Sequence, residues 1–273
     1  VTDVATMIAI TNSTINENDG GAVVGALSSV IDDTAATDSF TYTLSGTDTA
    51  SFEVVNGQLK LKDSVTANYE TQSSYSVTVT ATDTGGLTAS QSFTVMVSNV
   101  NDAPTLVNAI ADQNVDEDSA LSFTVPTDAF NVEDADTPTY TATLSDDSAL
   151  SSWHSFDAAT QTFSGTPLNG DVGAINVTVT ATDTAGLAVN DTFSIIVANT
   201  NDAPSAIALS ATAIDENAGG AVVGTLSTSD VDAGDTHTYT LSGTDADSFE
   251  VVNGQLKLKD SVTANYETQS SYS

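Results

Sequence analysis

Asn99-Val100-Asn101-Asp102-Ala103-Pro104 returns one hundred residues further on as Asn199-Thr200-Asn201-Asp202-Ala203-Pro204. This recurrence decides how the chain is divided. Pro104 and Pro204 forbid helix at these points and each removes one backbone donor, so both segments are extended and rich in oxygen. Asn, Asp and Pro also make ordinary turns between strands. Their return at the same phase, with carboxylates at other fixed points of the repeat, favours a joint that can hold a hard cation.

Working outward, Tyr42–Ser76 recurs as Tyr239–Ser273, with only Thr49 and Ala50 replaced, by Ala246 and Asp247. Repetition at this period is the signature of an array. The expected units are 1–102, 103–202 and 203–273, the third ending inside its unit. Val1-Thr2-Asp3-Val4-Ala5 reads as the tail of another joint, so a longer array cut at both ends is expected.

Within a unit the pattern is that of strands. Phe40–Leu44, Tyr75–Val79 and Phe93–Val97 alternate apolar with small polar residues, as half-buried strands do. Leu121–Val125, Tyr140–Leu144, Ile175–Val179 and Phe193–Val197 do the same in the middle unit. Asn56-Gly57 and Asn253-Gly254 each stand between two apolar strands, a strong hairpin signal. Abundant Thr, Val and Ser argue against helices longer than a turn. The expected fold is therefore all-β: tandem Greek-key, immunoglobulin-like, antiparallel β-sandwiches joined end to end, the third one truncated.

The 273 residues suit two to three domains. There is no cysteine, so neither a disulfide framework nor thiol chemistry is available. Four Lys+Arg against 37 Asp+Glu give a net charge of -33, which excludes nucleic acid and anionic membrane surfaces as partners and points to a cation. Part of that charge serves solvation. No apolar run reaches the length of a membrane span, and no basic-then-apolar leader opens the sequence.

The remaining carboxylates occupy turns: Glu17, Glu70, Asp134, Asp136 and Asp183. If Glu17, Glu70 and Asp102 close the bottom of the first unit, and Asp134, Asp136 and Asp183 the top of the second, six like charges meet and repel. Calcium reverses that sign. It takes six to eight oxygens from carboxylates, amides and backbone together, the mixture that Asn99, Asn101 and Asp102 offer, whereas magnesium prefers more water.

Glu17 between Asn16 and Asn18, the hairpin Phe52–Leu59 leading to Asn68-Tyr69-Glu70, the strand end Ala81-Thr82-Asp83 and the two joints together resemble a cadherin repeat, in the first and third units. The middle unit, with Asp112-Gln113, Val132–Asp136, Trp153–Asp157, Phe163–Pro167 and Asp171-Val172-Gly173, resembles a dystroglycan-type cadherin-like domain. The whole is similar to a bacterial cadherin-like repeat protein. That resemblance implies calcium at the joints and a role in adhesion or cell-surface architecture. It carries over Glu17, Glu70, Asn101, Asp102, Asp134, Asp136 and Asp183 as ligands of the first joint, and Glu117, Asn201, Asp202, Asp230 and Asp232 of the second.

There are departures. Asn68 stands where such repeats usually carry Asp, and Asn99 and Asn199 open the joints in place of Asp, so weaker sites are expected. The middle unit has no Asn-Tyr-Glu turn, leaving Glu117, Asp202 and Asp171 as its lower ligands. Asp33 and Asp83 would face a preceding neighbour, reached through Asp3.

Trp153 reads as core. His154 and His237 are isolated, without a zinc pattern, and nothing resembles a nucleophile elbow. The expectation is a non-enzymatic, extracellular, calcium-stiffened adhesion and spacer array, with a protein or polysaccharide partner at the cell surface or in the matrix. The rivals are a carbohydrate-binding or accessory module of a secreted polysaccharide-active protein, and homophilic binding by the repeats themselves.

Overall fold

A computed structural model describes residues 5–31, 39–134 and 136–273. It is nearly all-β, with three single-turn 3-10 segments at Thr49–Ser51, Asn169–Asp171 and Ala246–Ser248. Two compact units share the chain. The first holds Val1–Ile110, Val125–Thr141 and Val179–Asp191, and the second Ala111–Thr124, Ala142–Thr178 and Thr192–Ser273.

In the first unit, residues up to Ser98 form eight strands: β1 (Ala5–Ile10), β2 (Thr14–Asn16), β3 (Val23–Ile31), β4 (Thr41–Ser45), β5 (Phe52–Val55), β6 (Gln58–Leu61), β7 (Ser74–Thr82) and β8 (Thr88–Ser98). They make two sheets, β1-β3-β6-β5 and β2-β8-β7-β4. Alternation sets the faces: Tyr75, Val77, Val79 and Ala81 of β7 are buried, together with Val24, Phe52, Leu59, Leu61, Val95 and Val97 from the other strands. At about 1.5–3 kcal/mol for each large apolar side chain removed from water, this layer is the main stabiliser of the sandwich. Asn56 and Gly57 both have positive φ, 51° and 75°, which is the tight turn that matches strand twist, and β5 and β6 pair in the register it dictates, Val55 with Gln58.

One detail departs from a purely antiparallel sandwich. β2 pairs parallel with β8, Ile15 opposite Val97. Asn12 explains it: its side chain donates to Thr14 O and accepts from Thr14 N, turning the chain off the sheet of β1 and onto the other.

The middle repeat contributes β9 (Thr105–Leu106), β10 (Gln113–Asp116), β11 (Leu121–Thr124), β12 (Phe130–Asn131), β13 (Thr139–Leu144), β14 (His154–Asp157), β15 (Thr162–Gly165), β16 (Gly173–Thr182) and β17 (Ala188–Ala198). Its sheets run β10-β17-β16-β13, β11-β15-β14 and β12-β9. Again the leading strand is parallel, β10 to β17, with Asp116 opposite Ala198. In the second unit Phe163 is fully buried among Phe123, Phe156 and Phe193, at ring separations of 6.4, 4.7 and 5.7 Å. Trp153 is half-buried, its ring 4.3 Å from that of His154.

The third repeat forms a single sheet from β18 (Ala206–Leu209), β19 (Val222–Ser229), β20 (Phe249–Val252) and β21 (Gln255–Leu258), in the order β18-β19-β21-β20. It matches the sheet of β1, β3, β5 and β6 strand for strand.

Candidate cation sites at the repeat joints

The first site lies within the first unit and is assembled by Glu17, which directly follows β2. Glu17 is only 2% exposed. Its Oε1 accepts the Val100 N–H at 2.7 Å and its Oε2 the Tyr69 N–H at 2.6 Å, so one carboxylate ties the joint to the Asn68-Tyr69-Glu70 turn. The next residue, Asn18, has φ 62°, a conformation Asn tolerates, and donates from Nδ2 to Asp102 Oδ1 at 2.7 Å. The Asp102 N–H donates to Asp134 Oδ2 at 2.7 Å, and the other oxygen, Asp134 Oδ1, is buried with no hydrogen-bond partner.

Carboxylate oxygens of Glu17, Glu70 and Asp134 all lie within 4.8 Å of one another, and so do those of Glu70, Asp102 and Glu133. Glu70 is common to both groups. Asn99 donates to Glu70 at 3.3 Å, and Asn101 donates to Asp183 Oδ2 at 2.8 Å, while Asp183 Oδ1 takes the Leu187 N–H at 2.8 Å. Asp136 accepts from the Thr184 hydroxyl at 2.9 Å and stands outside the two groups.

Crowding leaves its mark on protonation. Lost hydration first, then repulsion from Glu17 and Asp134, holds the Glu70 carboxyl above the usual range. Asp102 is raised for the same reason, with Glu17, Glu133 and Asp134 adding to lost hydration against the donation from Asn18. The Asn101 amide pulls Asp183 the other way, below the usual range. The lysine pairs among the described residues, Lys60 with Glu53 and Asp63 and Lys257 with Glu250 and Asp260, involve none of these carboxylates.

The second site lies within the second unit and repeats the plan with the same number of grouped acids, five. Glu117, 1% exposed, follows β10 and accepts the Thr200 N–H on Oε1 at 2.7 Å, as Glu17 does that of Val100. Its Oε2 is buried and unpartnered. Oxygens of Glu117, Asp202 and Asp232 fall within 4.8 Å of one another, as do those of Asp230, Asp232 and Asp235. Asp232 takes the Asp202 N–H at 2.5 Å and the Asn199 amide at 2.9 Å, which together lower its pKa. Asp202 is raised by lost hydration and then by Asp118, Asp232, Glu117 and Asp230. Asn201 donates to the Asp202 carbonyl at 3.0 Å, and His237 Nε2 stands 3.7 Å from Asp230 Oδ2.

Asp171 takes no part in these groups; its carboxylate accepts the Leu168 N–H at 3.0 Å and closes its own turn. Asp3 and Asp33 lie outside the described residues. Asp83 is buried and accepts the Leu87 N–H at 2.8 Å, the same arrangement as Asp183 with Leu187. Two acids that sequence reasoning left out stand in the groups, Glu133 and Asp235. Glu133 accepts from Asn68 and Asn131 at 3.4 and 3.3 Å, beside the position where an acid is missing, and its place directly before Asp134 was the available signal. The joints also differ in which aspartate they hold. The joint N–H goes to the first member of the Asp134/Asp136 pair but to the second of Asp230/Asp232.

The donor set is carboxylate with side-chain amides beside it, without thiol, and it includes buried carboxylate oxygens that nothing among the described residues pairs. That set fits a hard divalent cation of calcium size.

Comparison with known proteins agrees with the fold. A family model described as "Putative Ig domain" (He_PIG) matches residues 103–198. No curated protein matches the sequence. Among solved structures, mouse cadherin-23 extracellular domains 22–24 superpose with a TM-score of 0.66 at 19% identity, over 94% of this chain and 88% of that one. Protocadherin gamma B7 extracellular domains 1–4 give 0.62 at 20%, over 98% and 70%. The protocadherin gamma B4 extracellular domain gives 0.57 at 19%, over 95% of this chain and 46% of that one. The fold is that of cadherin extracellular repeats.

Proposed function

We propose that this chain is a calcium-binding, non-enzymatic spacer and adhesion array of the cell exterior, built from cadherin-like repeats at 1–102, 103–202 and 203–273. The observation that carries the reading is the pair of buried, unpartnered carboxylate oxygens, Asp134 Oδ1 and Glu117 Oε2, each inside a group of three acids. Leaving such an oxygen buried and unsatisfied costs about 1–3 kcal/mol, and more when it is charged. Calcium, when bound, supplies the positive charge that turns this repulsion into attraction.

The residues divide the work. Glu17 and Glu117 hold each joint to its own repeat through backbone N–H groups. Glu70, Asp102, Glu133 and Asp134 would hold the ion at the first joint, with Asn99, Asn101, Asp136 and Asp183 around them. Glu117, Asp202, Asp230, Asp232 and Asp235 would do so at the second, with Asn199 and Asn201. Acids of consecutive repeats then share one cation, and the angle between those repeats is fixed. A stiffened array lets a distal binding tip stand clear of the surface. Among the described residues no helix is long and apolar enough to cross a membrane.

Small-angle scattering of the full chain with millimolar calcium and with chelator tests this. Flexibility and maximum dimension should change between the two. Identical profiles, with calcium uptake absent by calorimetry, would end the proposal.

A further inference from the structure

Asp230-Val231-Asp232-Ala233-Gly234-Asp235-Thr236-His237 places three acids and an imidazole in one short loop directly after β19. The loop folds back on itself. The Asp232 N–H donates to Asp230 Oδ1 at 3.1 Å, Gly234 takes φ 102°, which a side chain resists, and the Asp235 N–H donates to the Asp232 carbonyl at 3.4 Å. Carboxylate oxygens of Asp230, Asp232 and Asp235 thereby come within 4.8 Å of one another. Spacing alone gives no zinc pattern at His237, because this turn is what brings the imidazole to the acids.

Two features set this loop apart from an ordinary acidic turn. The Asp230 side chain is only 6% exposed, and among the described residues its buried Oδ2 has no hydrogen-bond partner. That same atom faces His237 Nε2 at 3.7 Å. A direct hydrogen bond would close to about 2.7–3.2 Å, so the two stand apart. Two donors held by one ion at about 2.0–2.2 Å each can lie up to about 4.2 Å from one another, and this gap falls inside that reach. Nor does the repeat require an imidazole here. Phe40 and Pro138 hold the same place before Thr41-Tyr42-Thr43 and Thr139-Tyr140-Thr141 that His237 holds before Thr238-Tyr239-Thr240.

We propose that Asp230, Asp235 and His237 bind a divalent transition ion of the zinc class. Calcium takes oxygen ligands, whereas imidazole nitrogen suits zinc, copper and nickel. The ligands are Asp230 Oδ2, a carboxylate oxygen of the exposed Asp235, and His237 Nε2, whose side chain is 21% exposed and leaves the ion a way in from solvent. Asp232 adds charge beside them, its own oxygens already accepting the Asn199 amide and the Asp202 N–H. Three protein ligands leave the fourth tetrahedral position to water. This site goes beyond the calcium reading, which counts Asp230 and Asp235 as oxygen donors only; Glu117 and Asp202 stay with calcium, so the two ions can be told apart.

The test titrates zinc chloride into the full chain held in millimolar calcium. Calorimetry reads uptake, and proton NMR reads the two imidazoles, His154 and His237 being the only histidines. Zinc should be taken up, shifting the His237 signals and leaving those of His154 in place. His237→Phe borrows the residue of the first repeat and keeps every acid; it should weaken zinc by about tenfold or more, the scale of a lost metal partner, with calcium uptake unchanged. Asp235→Asn should weaken zinc as well. No zinc uptake in calcium, uptake unaltered by His237→Phe, or a shift of His154 in place of His237 would each overturn the proposal. Zinc uptake that depends on His237 in a chain that takes up no calcium would support this site and end the calcium reading.

Discussion

Replacing Glu117 by Gln should move stability in opposite directions with and without calcium. The side chain is 1% exposed, its Oε1 holds the Thr200 N–H at 2.7 Å, its Oε2 is buried without a hydrogen-bond partner, and the carboxylate is grouped with those of Asp202 and Asp232. Glutamine keeps one acceptor for Thr200 and removes the charge. In chelator, the unpaired anionic oxygen disappears and an amide that can donate to the neighbouring carboxylates replaces it, a gain of about 1–2 kcal/mol from the cost of an unsatisfied buried group. In saturating calcium, the same change removes one of the five charged ligands proposed for this joint. Even outer-shell partners of a metal are worth about 10–100-fold in affinity, so the bound state loses about 1.4–2.8 kcal/mol. For a repeat of this size each 1 kcal/mol moves the melting temperature by about 4–8 °C. Thermal unfolding followed by circular dichroism should therefore show E117Q melting above the parent in chelator and below it in millimolar calcium. A shift of the same sign in both media would refute the reasoning and leave Glu117 as a backbone staple only.

Further outcomes follow from the same geometry. Asp134→Asn with Asp136→Asn should loosen the first joint, seen as greater flexibility in scattering with calcium present, while near-native circular dichroism shows the sandwiches folded. Asn68→Asp restores an acid beside Glu133 and Glu70 and should tighten calcium at the first joint by about tenfold, since ligand charge tunes such sites; titration calorimetry reads it. Burial holds the His154 imidazole below its usual pKa, and both ring nitrogens lack hydrogen-bond partners. The unfolded chain therefore binds the extra proton first, and stability present above about pH 6.5 should fall as the pH is lowered; urea titrations of His154→Phe should lose that slope. At Gly165, an added Cβ would fall on the Trp153 carbonyl oxygen and 2.7 Å from His154 Cα. Gly165→Ala should cost about 1–3 kcal/mol or more of middle-repeat stability, since backbone cannot yield as a side chain does.

Much of the fold was legible because its signals are local. Alternation in Tyr75–Val79 and Phe93–Val97, and Asn56-Gly57 between apolar runs, need no distant partner to be read, and β5, β6, β7 and β8 fall where they point. The acidic groups were partly legible for another reason: the recurring joint marked Asp102 and Asp202, turn positions marked Glu17, Glu70 and Asp134, and the cadherin resemblance added Glu117 and Asp232, all of which fall in the acidic groups of one site or the other. Glu133 was missed because its partner Asn68 lies 65 residues away, whereas Asp235 stands close in sequence to Asp230 and Asp232 and was open to a local reading. Asp171 looked equivalent to a ligand, yet its carboxylate is used by the Leu168 N–H three residues back.

The residue order by itself determined the all-β class, the repeat period, the hairpin turns and the dense negative charge, since each rests on backbone preference or side-chain type within a few positions. Tertiary structure alone decided which segments pair. Tyr42–Ser45 becomes β4 only against β7, and Thr14–Asn16 becomes β2 only against β8. A strand is a set of hydrogen bonds to another segment, and the residues that supply those bonds are never written in the strand itself.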